Sequence, residues 1–222
     1  MTSFLVQRND FKERIDVIRS ILSHTAPTVI ARESRGLSIV LLYASYEKLL
    51  KSLVRVVLED ARQFVHSNHK LSEKFKVFCI HDKLQGLVDA QHHREIWTKD
   101  RGAAILRSLD DRTKCTLNPE IFPDSGDHMK VGQVLKVCTV LGLGHPAPIL
   151  GEVWNRIDSV VTARNKIAHG AETPDAIGRQ YSEAEINILV STWELRWVAF
   201  IGWMEQEVNK PGYYGVRRYK KN

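Results

Sequence analysis

Three side chains in the last third of the chain could do chemistry together. Arg164, Asn165 and His169 lie in the run Arg164-Asn165-Lys166-Ile167-Ala168-His169-Gly170. The guanidinium is a fixed cation with a fork of donors, the amide both donates and accepts, and the imidazole changes charge near neutral pH. Such a set can cleave a phosphodiester without a metal, by moving protons and neutralising phosphate charge. The same residues also suit an ordinary helix end with polar side chains on its surface. The elements that carry them decide between the two.

The apolar spacing predicts a helix over 149–169 that stops at Gly170, a residue suited to the left-handed turn after a helix. Arg164 and His169 are five residues apart, about 140° around a regular helix, so they cannot share one face. Asn165 and His169 are at i,i+4, and Asp158 and Thr162 continue that polar stripe towards the N-terminus. The opposite seam is apolar, with Ile157, Val160, Val161 and Ala168, and Arg164 is set into it. Burying a lone charge is costly, so the arginine calls for an anion or a cleft. Two such helix ends facing each other across a twofold axis would form that cleft, and a homodimer is therefore expected.

Further helices are predicted over 3–24, 31–66, 71–90, 129–141 and 182–208 from apolar residues recurring at three and four. The second is the longest and reads as the spine of a bundle. On it Tyr43 and Glu47 share one side, either as a core-margin tyrosine beside a solvated glutamate or as support for the site. Glu47 and Lys51, and Arg55 and Glu59, form charge pairs at i,i+4. Ser182-Glu183-Ala184-Glu185 is a capping box that opens the last helix. Thr173-Pro174 and Gly178 predict a loop between the last two helices. The stretch 91–128 is the least regular, with a helix around Ile96 to Leu109 followed by turns at Asn118-Pro119, Pro123 and Ser125-Gly126-Asp127. Nothing alternates at period two for long enough to require a sheet. The expected fold is all-α, one bundle of long antiparallel helices with short extra helices. It would occupy residues 1–210, with a loop-rich insertion at about 91–128 and a basic tail at 211–222.

Composition narrows the function classes. The chain has 222 residues, 43% hydrophobic and 26% charged, ordinary for a globular protein. No stretch approaches the ~18 apolar residues of a membrane span. The first eight residues lack a basic start followed by a long apolar run, so no signal peptide is expected. Cys79, Cys115 and Cys138 are far apart in sequence and make no CxxC pair, which suggests reduced thiols in a cytoplasmic protein. His66 and His69, and Gln91-His92-His93, have no ligand partners at a recognisable spacing, and surface histidines with no metal are expected. Gly142-Leu143-Gly144 is no phosphate loop, because neither GxGxxG nor GxxxxGK[ST] is present. A net charge of +6 is compatible with a polyanion such as RNA. Part of that charge sits in Arg217-Arg218-Tyr219-Lys220-Lys221, a phosphate-contacting arm or a solvated terminus.

The run from Arg164 to His169 resembles the Arg-x4-His motif of the HEPN superfamily, with its usual polar residue directly after the arginine. The long helix with Leu41-Leu42-Tyr43-Ala44-Ser45-Tyr46-Glu47, and Gly178-Arg179-Gln180-Tyr181-Ser182 after the motif, are similar to the prokaryotic HEPN-like nucleases of about this size, the MAE-type group. The resemblance does not extend to the middle, roughly 91–128. This resemblance implies an α-helical domain that dimerises to form one composite site, with metal-independent endoribonuclease activity and no cofactor. It implies that His169 is the general acid or base, that Arg164 stabilises the charged phosphorane and that Asn165 orients groups. Asp158, Thr162, Lys166, Tyr43 and Glu47 would support the site or touch RNA. RNA carries its own 2′-hydroxyl nucleophile, so the expected products are a 2′,3′-cyclic phosphate and a 5′-hydroxyl. A toxin or antiphage effector, with an antitoxin or defence partner, is the role implied. HEPN toxins held by nucleotidyltransferase antitoxins carry a tyrosine two residues after the histidine; here that position is Ala171, which does not support this form of control. The alternative is a non-catalytic helical module binding RNA, a nucleotide or a protein partner.

Overall fold

Helix α2 (Thr28–Phe64), 37 residues long, is the longest element, and four other helices pack against it. Its buried positions Ile39, Leu42, Tyr46, Leu49, Leu50 and Leu53 recur at three and four, so one stripe faces inward along most of its length. The computed structural model describes residues 1–23, 28–88, 100–124, 126 and 128–215. Along the chain the other helices are α1 (Leu5–Ser23), α3 (Glu73–Val88), α4 (Arg101–Leu109), α5 (Val131–Val140), α6 (Ala147–Leu150), α7 (Ile157–Ala168), α8 (Pro174–Gly178) and α9 (Glu183–Val208). Short 3₁₀ turns occupy Asn68–Lys70 and Gly151–Arg156, and Leu71 and Gly215 form an isolated β-bridge. The described residues contain no strand, so the fold is an all-α bundle, as the periodicity predicts. None of their helices is long and apolar enough to cross a membrane.

Helix α2 touches α1, α7, α8 and α9. Ion pairs Arg8–Glu205 and Arg19–Glu194 link α1 to α9 with their numbers running in opposite directions, so these two helices are antiparallel. Where α2 meets α9, Tyr46 stacks on Trp197 at 5.3 Å between ring centroids and meets Trp193 edge-on at 5.5 Å. Aromatic pairs of this geometry contribute about 0.5–1.5 kcal/mol each beyond their burial. The Tyr46 hydroxyl donates to the carbonyl of Met129, pinning the start of α5 to the spine.

Two expectations are corrected. The helix expected over 149–169 is broken, because Gly151 takes a left-handed φ of 54° and the chain passes through the 3₁₀ turn before α7 begins. The stretch 173–178, expected as a loop, is the short helix α8. Thr173 caps it by accepting from the Ala176 amide (3.2 Å), and Pro174 at its start pre-sets the helical φ. The capping box holds: the Ser182 hydroxyl accepts from the Glu185 amide, and the Glu185 carboxylate from the Ser182 amide (2.7 Å).

In the stretch read as an insertion, α4 leads into an irregular run tied down by the buried Asn68. The Asn68 amide donates to the Ser108 carbonyl (2.7 Å) and the Thr116 hydroxyl (2.8 Å), and its oxygen accepts from the Thr116 amide (2.8 Å). Residues 211–215, read as the start of the tail, pack on the bundle: the Tyr213 hydroxyl donates to the Leu141 carbonyl (2.8 Å). Arg217-Arg218-Tyr219-Lys220-Lys221 and Gln91-His92-His93 lie outside the described residues.

Candidate active site at the end of α7

Helix α7 is held by Ile157, Val160 and Val161, which are buried, and ends in a tight left-handed turn. Gly170 has φ 71°; its amide donates to the Ile167 carbonyl (3.1 Å) and the Ala171 amide to the Lys166 carbonyl (2.8 Å). These two bonds make a Schellman motif, which satisfies carbonyls that the helix end leaves open. A side chain at residue 170 would meet nothing within 4 Å, so its φ, and not space, is what requires glycine. The turn leaves His169 at the cap position, exposed, with its backbone amide donating to the Asn165 carbonyl (3.0 Å). Ala168, assigned to the apolar seam, is exposed, because the last turn of α7 extends past the core.

Arg164 leans the other way, onto α2. Its guanidinium carbon lies 3.7 Å from the centroid of the Tyr43 ring, and its Nη2 is 3.9 Å from Glu47 Oε2. On the same side, Nη1 donates to Asn165 Oδ1 (2.9 Å). Glu47 in turn accepts from Lys51 (2.8 Å), so Lys51, Glu47, Arg164 and Asn165 form one chain of polar contacts across α2 and α7. Tyr43 is buried, and burial, with the Glu47 carboxylate beside it, raises its phenol above the usual tyrosine value, partly offset by Arg164. A cation over an aromatic face contributes ~0.5–1 kcal/mol at an exposed site and ~2 when desolvated. The Glu47 contact, at the edge of ion-pair distance and partly exposed, adds ~1 kcal/mol at most. The ring therefore fixes the arginine and the carboxylate aims it.

This arrangement corrects one inference. An arginine on the apolar seam was expected to need a cleft from a second chain, yet Tyr43 and Glu47 of the same chain supply both the surface and the anion. Arg164 and His169 remain separate within one chain, ~7.5 Å apart along the axis at 1.5 Å per residue.

The other members of the polar stripe divide. Asp158 accepts from the Val131 amide (2.8 Å), so it closes the N-terminus of α5 and joins that helix to α7. Thr162 is exposed between Asp158 and Asn165. Lys166 is paired with Glu172 (2.6 Å), and Glu172 also accepts from Gln180 (3.5 Å). Glu172 was not singled out from the sequence, and six residues of separation across a turn gave no periodic signal for it.

The segment after the motif is clamped to α2 by two glycines. A Cβ on Gly178 would fall 1.8 Å from the Arg32 carbonyl oxygen, and one on Gly36 would fall 2.0 Å from the Pro174 carbonyl oxygen. The backbones of α2 and α8 thus touch, and Arg35 Nε donates to the Gly178 carbonyl (3.0 Å). A glycine inside a long helix signals such a close approach, and Gly36 was that signal.

Of the histidines considered as ligands, His69 Nδ1 lies 2.7 Å from Asp110. Among the described residues no group of three or more His, Cys, Asp or Glu side chains comes together as a metal site. The cysteines, far apart in sequence, are not all far apart in space. Cys79 on α3 and Cys115 in the irregular run are close enough to influence each other's thiols: Cys79, with the Leu117 amide and Arg62, holds the Cys115 thiol below the usual range, and Cys115, with burial, pushes Cys79 up.

A family model described as RiboL-PSP-HEPN matches residues 8–190. The chain belongs to the RiboL-PSP-HEPN family. The matched span of this HEPN chain contains α2, α7 and α8 whole, so every contact of Arg164 described above lies within it. Membership in a HEPN family points to a ribonuclease-type or RNA-binding role. No curated protein and no solved structure gives a significant match.

Proposed function

We propose that this HEPN chain is a metal-independent endoribonuclease, close to the MAE-type nucleases, that acts in the cytoplasm as a toxin or antiphage effector. One observation carries the reading: an exposed His169 fixed at a helix end, with Arg164 held on the Tyr43 ring beside Glu47 and Asn165. His169 takes the proton from the 2′-hydroxyl or gives one to the leaving 5′-oxygen. Arg164 neutralises the phosphorane with its forked donors, and Asn165 orients the guanidinium. Lys166 and Thr162 flank the path of the RNA, and no cofactor enters the reaction. The products are a 2′,3′-cyclic phosphate and a 5′-hydroxyl, and DNA, lacking the 2′-hydroxyl, is left uncut. Two chains meet so that His169 and Arg164, separated in each, combine across a twofold axis. An antitoxin or a defence protein would control the dimer.

The purified protein incubated with RNA in EDTA should cut it, and His169→Ala and Arg164→Ala should not. Cleavage by either variant, or strict dependence on magnesium, would overturn the mechanism. A second reading, an RNA-binding module that does not cut, draws on Arg164 being engaged by Glu47 and Asn165. RNA bound but left intact by the wild type would favour it.

A further inference from the structure

Beside Glu47 runs an open groove of about 490 Å³ between α2 and residues 119–122. Glu47 lines the groove and meets Arg164, so the groove is continuous with the candidate site. One wall is Lys48, Lys51 and Arg55, at spacings of three and four and therefore on one face of α2. Their side chains are 51%, 52% and 56% exposed, and the row extends ~10 Å at 1.5 Å per residue. The other wall is Ile121 and the half-buried ring of Phe122.

We propose that this groove carries the RNA strand leading away from Arg164, with phosphates on Lys48, Lys51 and Arg55 and a base against Phe122. A cationic row facing an aromatic wall is the composition that binds single strands, because every base has a stacking face and every linkage a charge. The cations now pair with carboxylates: Lys48 with Asp10 (2.9 Å), Lys51 with Glu47 (2.8 Å), Arg55 with Glu59 (3.0 Å) and Glu120 (2.8 Å). Exposed pairs of this kind contribute little, so their cations can turn to a strand's phosphates at small cost. A protein partner fits less well. The large exposed hydrophobics of the described residues, Val29, Leu37, Leu106, Ile188 and Leu195 among them, lie off the groove. The proposal rests on the ribonuclease reading for where the scissile bond sits, but binding in the groove is measurable apart from cleavage.

The test is fluorescence anisotropy with a labelled unstructured RNA of about a dozen nucleotides and with a tetranucleotide, using His169→Ala so that the probe survives. The longer probe should bind at least about tenfold more tightly, since single-strand sites span ~4–16 nucleotides. In Lys48→Glu/Arg55→Glu, and more mildly in Phe122→Ala, that gain should be lost. The slope of log affinity against log salt should become shallower by about 1.4 for the charge pair, at ~0.7 per phosphate contact on a single strand. Lys83→Glu/Lys136→Glu, which reverses as much exposed charge outside the groove, is the control. Retention of the length gain in the groove variants, an equal loss in the control, or no RNA binding by the parent overturns the proposal. If the wild type binds with a length gain that the groove variants lose, yet cuts nothing, the groove stands and the ribonuclease reading falls.

Discussion

Gly178→Ala tests the geometry that holds the segment after the motif. The added Cβ would lie 1.8 Å from the Arg32 carbonyl oxygen and 2.7 Å from its carbon, both backbone atoms that cannot swing away. Ordinary contact between carbon and oxygen requires more than 3 Å, so α8 must move off α2 by over an ångström. Overpacking of this kind costs ~1–3 kcal/mol. The displacement also stretches the Arg35 bond to the Gly178 carbonyl, now 3.0 Å, and losing a hydrogen bond to a charged group costs ~1.5–3 kcal/mol. A total of about 2.5–6 kcal/mol corresponds, at ~2–4 °C per kcal/mol for a chain of this size, to a melting temperature lower by roughly 5–24 °C. Gly86→Ala is the opposite control: its Cβ meets nothing within 4 Å in an exposed helix interior, and the variant should gain ~0.5–1 kcal/mol. Thermal melts by circular dichroism decide it, with RNA cleavage by Gly178→Ala falling even at temperatures where it is folded. A Gly178→Ala melting point within about two degrees of the wild type would refute the close crossing.

Tyr43→Phe keeps the ring under Arg164 and should cut RNA nearly as fast as the wild type. Tyr43→Leu removes it and should slow cleavage about 2–30-fold, the range that ~0.5–2 kcal/mol of cation–π interaction implies; equal rates for the two would show that the ring does not position the arginine. Cys115 should be the first thiol alkylated by iodoacetamide in the native protein near neutral pH, followed by mass spectrometry, because Cys79 holds it below the usual thiol range. Cys79→Ser should shift that reactivity profile, whereas Cys138, pushed up to about 12 by burial, should stay inert. Lys74 is held down to about 8 by burial, with Glu207 opposing, and its ammonium lies 3.3 Å from the Tyr213 ring centroid. Between about pH 8 and 10.5 the unfolded chain keeps the proton that the folded chain has shed, so this group's contribution to stability rises with pH across that window. Urea midpoints should show the wild type gaining on Lys74→Met from pH 8 to 10; a constant difference would contradict the shift.

The long helices were legible because each buries one apolar stripe, and repetition at three and four survives whatever the helix packs against. Ser182 and Glu185 marked the last helix by local chemistry alone, which needs no tertiary information. Thr173-Pro174 carried the same kind of start signal for α8, but Gly178 five residues on made the segment look like loop. Gly151 failed for a different reason: an apolar-periodic window continues across it, and its left-handed φ is a property of the packed backbone. Tyr43 and Glu47 were visible as an i,i+4 pair. That α2 crosses α7 at the height of Arg164 is a long-range fact with no trace in either helix alone. Likewise Asp158 looked like part of a functional stripe, and only the arrival of α5 at its carboxylate shows what occupies it.

That crossing changes what the dimer must explain. Since Tyr43 and Glu47 already partner Arg164, a second chain is not required to accommodate the charge, and the case for it rests on the ~140° and ~7.5 Å between Arg164 and His169. If the working pair is formed between chains, mixing Arg164→Ala with His169→Ala should restore activity that neither variant has alone. Random exchange makes half of the dimers mixed, and each mixed dimer keeps one of two symmetry-related trans pairs. The recovered rate should then approach about a quarter of the wild type, and should rise with the time allowed for subunit exchange. A pair formed within one chain predicts no recovery at any mixing ratio, because no single polypeptide in the mixture carries both groups. Recovery with magnesium chelated throughout would also separate this site from a contaminating metal-dependent nuclease, whose cleavage would neither depend on mixing nor survive EDTA.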